Sequence, residues 1–168
     1  MTVEAYAKEL AENLSVLPPE LVVVVFSASP VLELRGAIPL AVGFYGMSPL
    51  RAFVLGVFGN LLPVLPLLFL LGRVSNFLAY RYRVFERFFT WLFERTRERV
   101  EDRYKKYGAV ALVPIVALPL PGTGAWTGCV AAFVFGIEHR YSVPAITFGV
   151  VLSGVIVTAL SAGFFGLF

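Results

Sequence analysis

Between Leu50 and Gly72, past a single charge at Arg51, the chain runs through an apolar stretch interrupted only by Asn60 and by the kinking residues Pro63 and Pro66. A helix needs about 20 predominantly apolar residues to cross the hydrocarbon core of a bilayer, and this stretch has that length. A second one runs from Tyr141 to Phe168. Whatever the rest of the chain does, it must be compatible with two membrane-spanning helices. The composition agrees. The chain has 168 residues, 58% of them hydrophobic, with a mean hydropathy of +0.82, against about 45–50% apolar in an ordinary soluble domain.

Charge is concentrated rather than spread over a surface. Ten of the 14 Lys and Arg and five of the 11 Asp and Glu lie between Arg73 and Lys106. Within 73–107, Val74, Phe77, Leu78, Phe85, Phe88, Phe89 and Leu92 recur at helical spacing, which predicts a basic amphipathic helix lying on a membrane surface. Basic patches attract nucleic acid or anionic lipid, and the position beside apolar segments favours lipid over nucleic acid. The excess of basic residues places this connection in the cytoplasm. Residues 1–18 carry Glu4, Glu9, Glu12 and Lys8 between apolar positions at helical spacing. They read as a second interfacial helix, not as a cleavable leader.

The remaining apolar pieces are too short to span. Leu21–Leu32 and Gly36–Gly46 flank a charged break, and Gly108–Leu120 and Gly124–Gly136 flank a break at Pro119-Leu120-Pro121-Gly122-Thr123. Each pair is followed by a turn and then by one of the long segments. The order therefore occurs twice: short, break, short, turn, long. With an offset of 90, Gly46 matches Gly136, Phe58-Gly59 matches Phe148-Gly149 and Leu62 matches Leu152, while Gly36-Ala37 matches Gly124-Ala125 at 88. If each short pair dips in and returns, each half crosses once and the halves run in opposite directions. The expected fold is an all-α integral membrane protein, an inverted repeat of two re-entrant helical hairpins each followed by a transmembrane helix. Its units are 1–18, 19–72, 73–107 and 108–168, with both termini outside. Broken helices of such repeats meet near the midplane, because non-helical backbone at that depth is tolerated only inside protein or beside water.

The first break, SPVLELRGAIP, holds Glu33 and Arg35. A charge at the bilayer centre costs at least about 2.5–3.5 kcal/mol on insertion scales, and something must offset it. In the functional reading, Glu33 and Arg35 project from a non-helical turn and Arg35 holds an anionic group. Glu33 then exchanges a proton, with burial and Arg35 pulling its protonation in opposite directions. In the bland reading they pair with each other or face water. Helix starts at the two breaks would aim N–H groups at the same anion, making Gly36, Gly122, Thr123 and Gly124 candidate binding residues, with Thr123 placed to cap the second helix. Trp126 is a packing residue or an N–H donor into the site. Asn60 either lines a cavity or bonds a neighbouring helix. Glu138, His139 and Arg140 form a solvated turn or a gate contacting headgroups, where His139 can respond to pH.

No Ser/His/Asp or Cys/His set, metal-ligand pair or phosphate-binding glycine loop is present, since His139 is the single histidine and Cys129 has no basic neighbour. The expectation is a non-enzyme without cofactor or metal.

The pair ELRGAIP (Glu33–Pro39) and PLPGTGAWTG (Pro119–Gly128), each opening a short apolar stretch, resembles the small multidrug export protein family of prokaryotic membrane proteins over most of residues 20–168. The layout is also similar, more distantly, to the DedA (VTT-domain) superfamily, whose members are implicated in moving polyprenyl-phosphate carriers and other lipids with proton or sodium coupling. That resemblance implies acids in the first hairpin and arginines in the second. Glu33 matches the first element. Residues 108–136 contain no arginine, so Arg35 would substitute, with Arg140 just beyond. The implied protein is a multi-pass transporter of a prokaryotic plasma membrane, acting as a proton-coupled flippase for a polyprenyl phosphate or similar anionic lipid; a homodimer is expected because 168 residues offer few spanning helices to enclose a path. Export of cationic hydrophobic drugs through Glu33 and a non-transporting scaffold that binds lipids or a partner are the competing expectations.

Overall fold

The computed structural model describes residues 17–71, 102–119 and 123–165. The interfacial helix expected over 1–18, the basic segment up to residue 101, and Gly122 lie almost wholly outside those residues. All regular structure among the described residues is helical.

Helix α1 spans Pro19–Ala28 and α2 spans Glu33–Pro39. Proline at the first position of α1 lacks an N–H that would have no partner there anyway, and its φ suits a helix. Ser29-Pro30 ends α1, because the residue before a proline is pushed out of the helical region, and Ser29 is extended at ψ 145°. The break is short. Ser29 Oγ accepts from Leu32 N–H at 3.3 Å and Ser29 O accepts from Glu33 N–H at 3.2 Å, so few backbone groups at this point need an outside partner. Glu33 and Arg35 thus occupy the first turn of a helix, not the non-helical turn expected from the sequence. Glu33 opens it at φ 49°, the one positive φ outside glycine among the described residues. Past Pro39 the helix widens into a π-type turn over Leu40–Phe44, with Tyr45 N–H bonded to Leu40 O at 3.2 Å.

Helix α3 runs over Pro49–Leu71, with a turn at Leu62-Pro63 that interrupts its regular helix after Leu61. Helix α4, Asp102–Ala117, passes without interruption through the 107/108 boundary drawn from composition. Helices α5, Ala125–Val134, and α6, His139–Phe165, complete the described chain. His139 and Arg140, expected in a turn, lie in the first turn of α6. Two helices, Pro49–Leu71 and His139–Phe164, are long and apolar enough to cross a membrane. Only 28% and 33% of their apolar windows is buried inside the protein. A soluble core helix would hide such a surface, whereas these present it outward.

The two halves share a burial pattern at the offset of 90. Ala52, Gly56, Gly59 and Asn60 are buried on α3, and Ser142, Ile146, Gly149 and Val150 are buried on α6. The turns before them are made by Gly46 at φ 61° and Gly136 at φ 62°, a left-handed conformation that glycine adopts without steric cost. Gly59 leaves room for the Val24 carbonyl and Ser27 of α1, and Gly149 leaves room for Val113 and Val116 of α4. Gly56 faces the Ile38 side chain, and its counterpart Ile146 faces Gly128. The small and large partners of that contact have changed places between the halves.

The contacts also fix directions. His139, at the start of α6, stacks on Phe69 with ring centroids 5.2 Å apart, and its Nε2 lies 3.3 Å from Leu68 O. Gly154 further along α6 faces Phe53 and Val57 near the start of α3. The two long helices therefore run antiparallel. Glu20 at the start of α1 pairs with Arg51 at the start of α3, and Gly108 of α4 lies against Ile137 just before α6.

Candidate functional site

The breaks in the two halves touch. Arg35 Nη2 pairs with Glu33 Oε2 at 3.0 Å and also donates to the Thr123 carbonyl, while Arg35 Nη1 lies 3.5 Å from Thr123 Oγ1. Glu33 Oε1 accepts from the Trp126 backbone N–H at 3.4 Å, in the first turn of α5. A carboxylate from one half thereby sits on the positive helix start of the other. Glu33 is only 3% exposed, and its charge is balanced by Arg35 and by the helix start together.

Gly124 makes this approach possible. Its φ of 124° is one that side-chain-bearing residues rarely adopt, and a Cβ there would overlap the Glu33 carboxylate and the Arg35 guanidinium. The buried glycine lets one backbone lie directly on the ion pair of the other half.

Several expected roles change. Thr123 does not cap α5: the cap position is Gly124, without a side-chain bond to the helix start, and Thr123 Oγ1 donates to Leu118 O at 2.7 Å. The capping anion is Glu33, which periodicity cannot reveal because it lies 93 residues away. Gly36 N–H bonds Leu32 O at 3.1 Å, so the start of α2 offers it to no ligand. The Trp126 indole N–H donates to Ala28 O at 3.2 Å and ties the second break to the end of α1. Gly122 lies outside the described residues. Glu138 and Arg140 pair with each other at 2.7 Å, and Arg140 sits 4.7 Å above the Tyr141 ring. With His139 they form a separate cluster at the start of α6, away from the Glu33–Arg35 junction. Asn60 is buried at 2% exposure, and its Oδ1 has no partner among the described residues. Among the described residues no three His, Cys, Asp or Glu side chains lie together as a metal site.

A cavity of about 440 Å³ adjoins the junction, lined by Arg35, Pro39, Pro119, Val157, Leu160, Ser161 and Phe164. Among the described lining residues Arg35 alone carries a charge. The α6 positions among these, Val157, Leu160, Ser161 and Phe164, follow a three-four spacing on one face. That regularity is visible in the sequence but is indistinguishable there from a lipid-facing stripe.

A family model described as "Putative small multi-drug export protein" matches residues 33–156, from the ion pair at the start of α2 through the second break and into α6. The chain belongs to that family. No curated protein and no solved structure matches it. Membership together with the outward-facing apolar helices makes this a membrane protein, and the resemblance of ELRGAIP and PLPGTGAWTG to the small multidrug export family holds.

Proposed function

We propose that this small multidrug export family member is a transporter of inverted-repeat architecture that moves an amphipathic anion across the membrane. The observation that carries this reading is the division of the ion pair between two environments. Glu33 is buried behind Arg35 on the start of α5, while the Arg35 side chain, 21% exposed, forms the charged wall of a groove whose other described lining residues are apolar apart from Ser161. A ligand with an apolar body and one negative head suits that groove, whose volume is in the range of small-molecule sites. A cationic drug would meet the guanidinium first.

The inverted architecture is supported by the antiparallel long helices and by hairpin ends that return beside the helix each hairpin precedes. α1, at ten residues, is about 15 Å long, half the hydrocarbon thickness. The two tips meeting through Glu33, Arg35 and Trp126 then lie near the midplane. The leading substrate is a lipid-linked phosphate such as a polyprenyl phosphate, with the head at Arg35, the first part of the tail in the groove, and Glu33 carrying the coupling proton in a homodimer within a prokaryotic plasma membrane.

Purified protein in liposomes tests the reading. Labelled polyprenyl phosphate should cross at a rate that depends on a pH gradient, and Glu33→Gln and Arg35→Ala should each reduce it at least about tenfold, as expected when one partner of a buried charge pair is removed. Movement of ethidium-like cations without the phosphate lipid would replace the reading with cation export. Inactivity toward both, with lipid or partner binding intact, would leave a scaffold.

A further inference from the structure

The buried Oδ1 of Asn60 has no hydrogen-bond partner among the described residues, and an acceptor left unmade in a buried site carries the full desolvation penalty of the group. Its position suggests what it is for. Gly56 and Asn60 lie one turn apart on α3, about 6 Å along the axis, and Val64 follows four residues later, just past the turn at Leu62-Pro63; all three are buried. Gly56 meets Ile38 of α2, and one turn back along α2 from Ile38 is Leu34, beside Glu33. The Val64 carbonyl meets Cys129 Sγ of α5 at 3.8 Å, and one turn back along α5 from Cys129 is Ala125, at the helix start that holds the Glu33 carboxylate. Counting from either contact therefore brings Asn60 to the same level, that of the contact between Glu33 and the start of α5.

The corresponding residue in the second half, Val150, is equally buried but apolar. The α3 and α6 burial patterns match closely around this point, so the amide is an addition to one half and not a packing necessity of both.

We propose that Asn60 is a positioning residue that accepts a hydrogen bond from the protonated, neutral form of Glu33. In the ionised form described above, the carboxylate holds Arg35 and the Trp126 N–H. When a proton from water bonds to one Glu33 oxygen, the ion pair loses its negative member and the new O–H turns to Asn60 Oδ1. Arg35 is then released from the carboxylate and can take an anion in the groove. Loss of the proton on the other side reverses the exchange and expels the anion. Anion and proton thus travel together. The charged and titratable groups near Glu33 among the described residues are Arg35 from its own helix and the Cys129 thiol of α5; the facing stripes of α3 and α6 carry no charge. This inference rests on the reading of Glu33 as the proton carrier.

The test is infrared spectroscopy of the full chain in lipid vesicles across a pH titration, which reads the proton on Glu33 without requiring transport. The protonated-carboxyl band that disappears in Glu33→Gln belongs to Glu33. In Asn60→Leu, and equally in Asn60→Ala should the larger side chain disturb folding, this band should move to higher frequency. Its titration midpoint should fall by about one pH unit, the scale of one lost hydrogen bond. Asn60→Ser, which keeps an acceptor, should fall between these variants and the natural protein. An unchanged band and midpoint in folded Asn60→Leu or Asn60→Ala overturns the inference while leaving anion transport standing. A shifted midpoint in a protein that moves no phosphate lipid upholds the Asn60 contact and removes the transport reading instead.

Discussion

At the scale of single residues, Gly124 is the position with least freedom. Its φ of 124° excludes ordinary side chains, and the space a Cβ would take is occupied by Glu33 and Arg35. Two separate penalties therefore add in Gly124→Ala. The backbone strain alone is about 1–3 kcal/mol, and the carboxylate must also leave the start of α5. Unfolding in detergent should show at least that loss, and liposome transport should fall with it. Gly36→Ala meets only the Leu32 side chain, at 3.1–3.2 Å, which can shift, so it should be far milder in the same measurements. The two glycines open matching motifs in the sequence, and only the geometry separates them.

At the scale of elements, the helices are joined by close approaches whose tolerance depends on what stands opposite. A Cβ at Gly59 would come within 2.5 Å of the Val24 carbonyl oxygen, whereas one at Gly56 would meet the Ile38 side chain at 2.6 Å. Backbone cannot rotate aside and an isoleucine can. Gly59→Ala should thus destabilise by about 2–3 kcal/mol and Gly56→Ala by about 1 kcal/mol, within the range for overpacked interiors. Ile38→Val should restore part of the second loss and none of the first, as thermal unfolding of the three variants will measure. On α6, Leu160 is 65% exposed within the groove. Leu160→Trp should leave stability within about 0.5 kcal/mol, as for most exposed substitutions, yet raise the KM for the phosphate lipid severalfold by filling the space its tail would use.

The same elements explain what the sequence could disclose. Length and hydropathy gave the long helices, and prolines and glycines gave the breaks and turns, because these are local properties. Glu33 and Arg35 stood out because charge is costly in apolar surroundings. The pairing of Glu33 with Arg35 was among the readings, but its second partner could not be read, since the contact to Trp126 N–H is long-range and involves a backbone group that any residue supplies. Thr123 had the right chemistry for a cap but lost the position to Gly124, which alone fits beneath the ion pair. The orphaned Asn60 acceptor becomes visible only when the faces of α3 are known.

At the scale of the whole molecule, the two hairpins define a topology that labelling can decide. The ion pair Glu20–Arg51 joins the beginnings of α1 and α3, so Leu17 and Ser48 should lie on one side of the bilayer. The contacts of Gly108 with Ile137 and of His139 with Leu68 join the beginnings of α4 and α6 to the end of α3, so Glu138 should lie on the other. Single cysteines at these three positions, in a Cys129→Ser background, should react with a membrane-impermeant thiol reagent from opposite faces. Leu17→Cys and Ser48→Cys should react from outside, and Glu138→Cys only after the inner face is opened, if the excess of basic residues between Arg73 and Lys106 orients the chain as the positive-inside rule predicts. Labelling of Leu17→Cys and Ser48→Cys from different faces would mean that the first short pair crosses the bilayer. The tips could then not meet at its centre, and Arg35 would no longer have access from the groove to both leaflets.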